Sequence, residues 1–170
     1  MGFQLISEDS LDPEGGPVPE PLVALHAYWL ERCRGRAMPA RADVDPAELR
    51  SNLGRIHLLD VEGPETFRYR VYGSRVTNPD AADMTGRTTL DYKDRSFAEL
   101  VTRHYAECAG SRRPCCRAIR AALNNEPYEY TRLTLPLSDG GETVTMILVG
   151  TVRHTVPATV KRVIGGIMGR

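Results

Sequence analysis

At 170 residues the chain is the size of one domain with tails and too short for two full cores. Its 22 Lys+Arg and 22 Asp+Glu cancel, so no net charge draws it to nucleic acid or to an anionic membrane. No run of about 18 apolar residues is present to cross a bilayer.

Residues 1–19 hold Glu8, Asp9, Asp12 and Glu14 among Pro13, Gly15, Gly16, Pro17 and Pro19. Such a composition buries too little apolar surface to offset ordering entropy, so a disordered acidic tail is expected. Residues 20–54 form an N-terminal helical segment. Pro21 suits a first helical turn, and Leu22, Leu25, His26, Trp29 and Cys33 form one apolar stripe that Gly35 terminates. The stripe carries the only Trp and must dock, on its own sheet or on a partner. Asp45-Pro46-Ala47-Glu48 reads as a capping box opening a short helix that ends at Gly54.

Residues 55–154 read as the core. Residues 55–61 and 66–76 are two strands joined at Gly63-Pro64, a hairpin in which Phe67, Tyr69 and Val71 share a face. Ser96-Phe97-Ala98-Glu99 caps a long helix with Phe97, Leu100, Val101, Tyr105 and Cys108 on its buried side and Gly110 at its end. Residues 115–123 suit helix or strand, with the setting favouring strand. Residues 128–137, the turn Ser138-Asp139-Gly140-Gly141 and residues 142–153 form a second hairpin. Met146 to Val149 are apolar on both faces, which places that strand centrally, beside residues 55–61. Residues 155–170, with Lys161, Arg162 and Arg170, read as a basic C-terminal tail. The element order describes an antiparallel α+β domain.

On Trp29, Arg32, Gly35, Pro39, Arg41, Asp43, Asp45-Pro46 and Leu49, on Phe67-Arg68-Tyr69-Arg70-Val71-Tyr72-Gly73-Ser74, on Asp83-Met84-Thr85-Gly86-Arg87 and on Leu135-Pro136-Leu137-Ser138-Asp139-Gly140, the sequence resembles the PAS superfamily, and within it a bacterial single-domain PAS family. The resemblance covers residues 22–154. It implies a five-stranded antiparallel sheet with helices on one face and an extra N-terminal helix. It also implies a pocket between sheet and long helix, and signalling through flanking helices. On that fold the expected ligand-binding residues are Tyr69, Val71, Leu133 and Met146, with Leu100, His104 and Tyr105 opposite.

His104 and Cys108 stand at i and i+4, a spacing that can share a metal, and an axial haem histidine occupies the corresponding helix in several PAS proteins. A backbone-bonded core histidine is the commoner case, so no metal site is assigned and the cofactor stays unassigned. Cys115-Cys116 lies among Arg112, Arg113 and Arg117, a setting that lowers a thiol pKa and suits redox sensing, against the plain reading of two small strand residues. Arg32-x-x-x-Arg36 is half of a cyclic-dinucleotide motif whose other half is missing. No convergent acid–base or nucleophilic set is evident, and His26, His57, His104 and His154 lie in four different elements, so no catalytic residue is assigned.

The expected protein is therefore a sensory or signalling adaptor that binds a small molecule or a protein partner and has no catalytic activity. Four thiols without a CxxC, and an N-terminus without a signal-like pattern, point to the cytoplasm. A homodimer is expected through the Trp29 helix, with output to a separate signalling protein. The rival reading is a cone-shaped α+β enzyme or carrier with ionisable groups deep in its pocket. A structural interaction module without a ligand is the third.

Overall fold

A computed structural model of the protein describes residues 2–155. The described elements are β1 (Phe3–Leu11), α1 (Glu20–Cys33), β2 (Ile56–Gly63), β3 (Thr66–Val71), α2 (Arg95–Ser111), β4 (Cys115–Leu123), β5 (Glu126–Leu137) and β6 (Met146–Arg153), with short 3-10 turns between. The strands form one antiparallel sheet in the order β1-β4-β5-β6-β2-β3. Both hairpins and the inner position of β6 beside β2 follow the expectation. Residues 115–123 are a strand. The basic segment expected at 155–170 lies, beyond Thr155, outside the described residues.

The sheet has six strands rather than five. Residues 3–11, expected to be disordered, form β1 and pair with the edge of β4 from Phe3↔Leu123 to Leu11↔Cys116. Phe3 is the anchor, its ring edge-on to Phe97 and Tyr128 at 5.2 and 5.9 Å. Asp94 joins strand to helix: one oxygen accepts from the Phe3 amide at 2.7 Å and the other caps α2 through the Phe97 amide at 3.0 Å. The N-cap is thus Asp94, two residues before the expected Ser96 box. Gly- and Pro-rich composition holds only for the turn after β1; the preceding residues gain a ladder, broken only by a bulge at Ile6, and cover an open edge.

Residues 132 and 133 of β5 point to opposite faces. Arg132 reaches His104 on α2, whereas Leu133 pairs with Gly150, where an added Cβ would lie 2.7 Å from Leu25 and 2.8 Å from Leu22. So α2 covers one face and α1 the other. The stripe Leu22, Leu25, His26, Trp29 and Cys33 is buried on the protein's own sheet, and the Trp29 indole donates to the Pro136 carbonyl at 2.9 Å. The expectation that this stripe serves a dimer loses its basis, because its apolar surface is already covered.

The N-terminal residues shared with the PAS pattern clasp the 34–55 connection beside α1. Arg32 pairs with Glu48 and Arg36 with Asp43, both at 2.7 Å. The Tyr28 hydroxyl accepts from the Asp45 amide, and the Pro39 carbonyl accepts from Ser138. On the outer side of β3, Tyr69 exchanges backbone hydrogen bonds with Gly86 and Arg87. The Thr-Gly-Arg motif therefore shields that edge, with Gly86 in the left-handed region at φ +80°.

Candidate functional site

The α2-facing side of the sheet is polar and aromatic where a core is ordinarily apolar. From β5 come Tyr128, Tyr130 and Arg132, all buried; from β6 come Thr151 and Arg153; from β2 and β3 come His57 and Tyr69. Tyr72, Val76 and Thr77 close one side, with Tyr92, Phe97 and Tyr105 opposite. They enclose a void of about 10 Å³. Four hydroxyls form a chain: Tyr72 to Tyr92 at 3.3 Å, Tyr92 to Tyr69 at 3.0 Å, Tyr69 to Tyr105 at 3.4 Å. Asn78 fixes its outer end, donating to Tyr72 and to the Ala82 carbonyl, both at 2.7 Å.

His57 stacks on Tyr72 with ring centroids 4.0 Å apart, and its Nδ1 accepts from the Gly73 amide at 3.1 Å. Burial, reinforced by the charges of Arg132 and Arg153, lowers its pKa to about 3, so it is neutral. Burial raises the Tyr130 phenol to about 12 and pushes Tyr69, Tyr72, Tyr92 and Tyr105 upward too. The hydroxyls are neutral donors and acceptors, and none is poised as a base.

Of the residues expected to bind a ligand, Tyr69 and Tyr105 line the void together. Leu100 is buried on the same helix but does not line it. His104 lies beside it in a second, closed niche with Cys115, Arg117, Arg132 and Thr134. Leu133 and Met146 sit on the α1 face, since they pair with Gly150 and Leu137. Val71 is 48% exposed. The pairing steps from Leu59↔Tyr69 to Leu58↔Val71, so Arg70 is an extra residue that turns Val71 out and Tyr72 in. Tyr128, Tyr130, Arg132, Thr151 and Arg153 were not anticipated. Their signal was the alternation Tyr128-x-Tyr130-x-Arg132-x-Thr134, opposite the leucines of the same strand.

Both nitrogens of His104 are engaged. Arg132 can only donate, so Nδ1 accepts from it at 3.0 Å, and Nε2 carries the proton toward Glu8 at 2.7 Å. Burial, then the charge of Arg132, brings its pKa to about 3. Glu8 is a carboxylate oriented on a histidine, which sequence reasoning did not supply. Neither Asp60, paired with Arg70, nor Asp83, capping Thr85, approaches His57 or His104 by hydrogen bond. Among the described residues no group of three or more His, Cys, Asp or Glu could hold a metal. Burial raises Cys115 and takes Cys116 to about 11, so the flanking arginines do not make thiolates of them. A larger groove of about 650 Å³ runs along the outer side of α2, open to solvent and lined by Leu90, Lys93, Arg95, Glu99 and Arg103.

No described helix is long and apolar enough to cross a membrane. No curated protein matches the chain. The PAS domain from Bordetella pertussis BvgS is a similar solved structure, 18% identical, with a TM-score of 0.48 over 72% of this chain and 92% of that one. The sequence profile of a family described as PAS domain matches residues 18–151. The chain therefore belongs to the PAS domain family, a family of sensory and signalling modules.

Proposed function

We propose that this protein is a sensory or signalling adaptor that binds a small molecule between α2 and the sheet and reports it by changing its association with a partner, with no catalytic chemistry of its own. The observation that carries this is the enclosed polar cage, in which four strands, α2 and the 72–77 segment converge on one void. A stability core has no use for so many buried hydroxyls around one buried and one half-buried cation. The family match favours this reading over the cone-shaped enzyme or carrier.

The output is association with a second copy or a separate signalling protein. Edge strand β1 exposes Leu5 and Ile6, whereas α1 is occupied. Free cysteines throughout the described residues suit a reducing, cytoplasmic setting.

The test is native mass spectrometry of freshly purified protein with a thermal-shift screen of small molecules. A ligand should slow amide exchange in α2, and change the mass seen by light scattering with a partner. If no compound, neutral or charged, shifts the melting temperature, the ligand-binding half of the reading fails.

A further inference from the structure

Five buried polar atoms lining the cage have no hydrogen-bond partner among the described residues: Nε of Arg132, Nε and Nη1 of Arg153, and the hydroxyls of Thr77 and Thr151. Elsewhere among the described residues only Arg32 Nε and the Thr145 hydroxyl share that condition. Three of the five are N–H groups that can only donate, and the two hydroxyls can donate as well. No carboxylate of a described residue pairs with either guanidinium; Glu8 reaches Arg132 only through the His104 ring.

Arg132 is 6% exposed and keeps its proton at any ordinary pH. Its guanidinium carbon lies 5.0 Å from the Tyr130 ring and 5.7 Å from Tyr105, and that of Arg153 lies 4.6 Å from Tyr128. Ring faces return only part of what a desolvated cation loses. Unmet donors around two cations call for a partner that only accepts.

We propose that the cage binds an anion, a small carboxylate or an oxyanion of like size, with Arg132 and Arg153 as counter-charges and Thr77 and Thr151 as further donors. This rests on reading the cage as a ligand site. A void of about 10 Å³ holds about one water. A larger anion enters by taking Arg153 from the Thr77 carbonyl, which now accepts from Arg153 Nη2 and, at 2.9 Å, from the Tyr128 hydroxyl. Binding thereby loosens residues 73–82, the segment Thr77 holds down.

Full-length protein, dialysed into Hepes, is titrated with sodium formate, acetate, malonate, nitrate and inorganic phosphate at constant ionic strength, followed by thermal unfolding and calorimetry. At least one anion should raise the melting temperature saturably and speed amide exchange in residues 73–82. Its affinity should fall at least tenfold in Arg153→Met and be lost in Arg132→Gln. Without anion, Arg153→Met should still unfold in one cooperative transition, which shows that the variant folds. A rise that does not saturate, or that is equal in parent and both variants, is a salt effect and overturns the proposal. Stabilisation by an uncharged metabolite but by no anion overturns the anion and leaves the pocket. Stabilisation by neither overturns both.

Discussion

The carboxylate of Glu8 takes a 2.7 Å hydrogen bond from His104 Nε2 on one oxygen and a 2.8 Å ion pair from Arg103 on the other. It fastens the edge strand β1 to α2. Through the His104 ring it also reaches Arg132, so the strand at the margin and the cation in the cage belong to one network. A change in the cage therefore has a physical route to the sheet edge.

Replacing Glu8 with Ala leaves the His104 N–H and Arg103 without their acceptor. A hydrogen bond to a charged group is worth about 1.5–3 kcal/mol, and urea unfolding should show a loss of that order. Amides of residues 3–11 should exchange faster while those of β5 and β6 hold. Unchanged protection of β1 would mean that Phe3 and the ladder suffice to hold it.

Acid should destabilise the protein from near neutrality. His57 and His104 both have pKa values lowered from 6.5 to about 3, so between those limits the unfolded chain binds protons that the folded one refuses. Their contribution is fully present above pH 6.5 and is lost progressively as pH falls toward 3. Glu8, lowered to about 2 against an ordinary 4.5, adds a loss in the same direction below pH 4.5. Urea midpoints between pH 7 and 5 should drop, and His57→Gln should flatten the slope. A flat profile over that range would contradict neutral, buried histidines.

Element placement was legible wherever one face alone is buried. The stripes of α1 and α2 repeat every three or four residues, and each stripe residue is buried. The site was less legible because β5 is buried on both faces. Alternation separates Leu133, Leu135 and Leu137 from Tyr130, Arg132 and Thr134, but it does not say which set meets α2. The leucines went to α1, and the polar set formed the cage. Val71 was misplaced by the extra residue Arg70, since one inserted residue reverses every side chain beyond it. Strand β1 was missed because its few apolar residues were averaged with the Gly/Pro turn that follows.

Gly73→Ala should unfold more of the protein than its single methyl suggests. A Cβ there would lie 2.7 Å from the carbonyl oxygens of Gly54 and Ile56 and 2.9 Å from the Ile56 nitrogen. All three are backbone atoms that cannot rotate away, and the Gly73 amide also holds His57. A loss of about 1–3 kcal/mol or more is expected. Gly140→Ala, with nothing within 4 Å, is the control and should stay within about 0.5 kcal/mol.

Trp29 separates a stabilising helix from an associating one. It is buried, its indole donates to the Pro136 carbonyl, and Leu22 and Leu25 beside it pack over Gly150. Trp29→Ala removes a large core side chain and leaves that carbonyl unmet, so a loss of about 3–5 kcal/mol is expected in urea unfolding. Trp29→Phe keeps most of the packing and forfeits chiefly the hydrogen bond, about 1 kcal/mol with some cavity cost added. Because the stripe faces the protein's own sheet, the phenylalanine variant should keep the parent's mass in light scattering at every concentration. A variant that lowers that mass while melting with the parent would return α1 to an interface and detach its burial from the single chain.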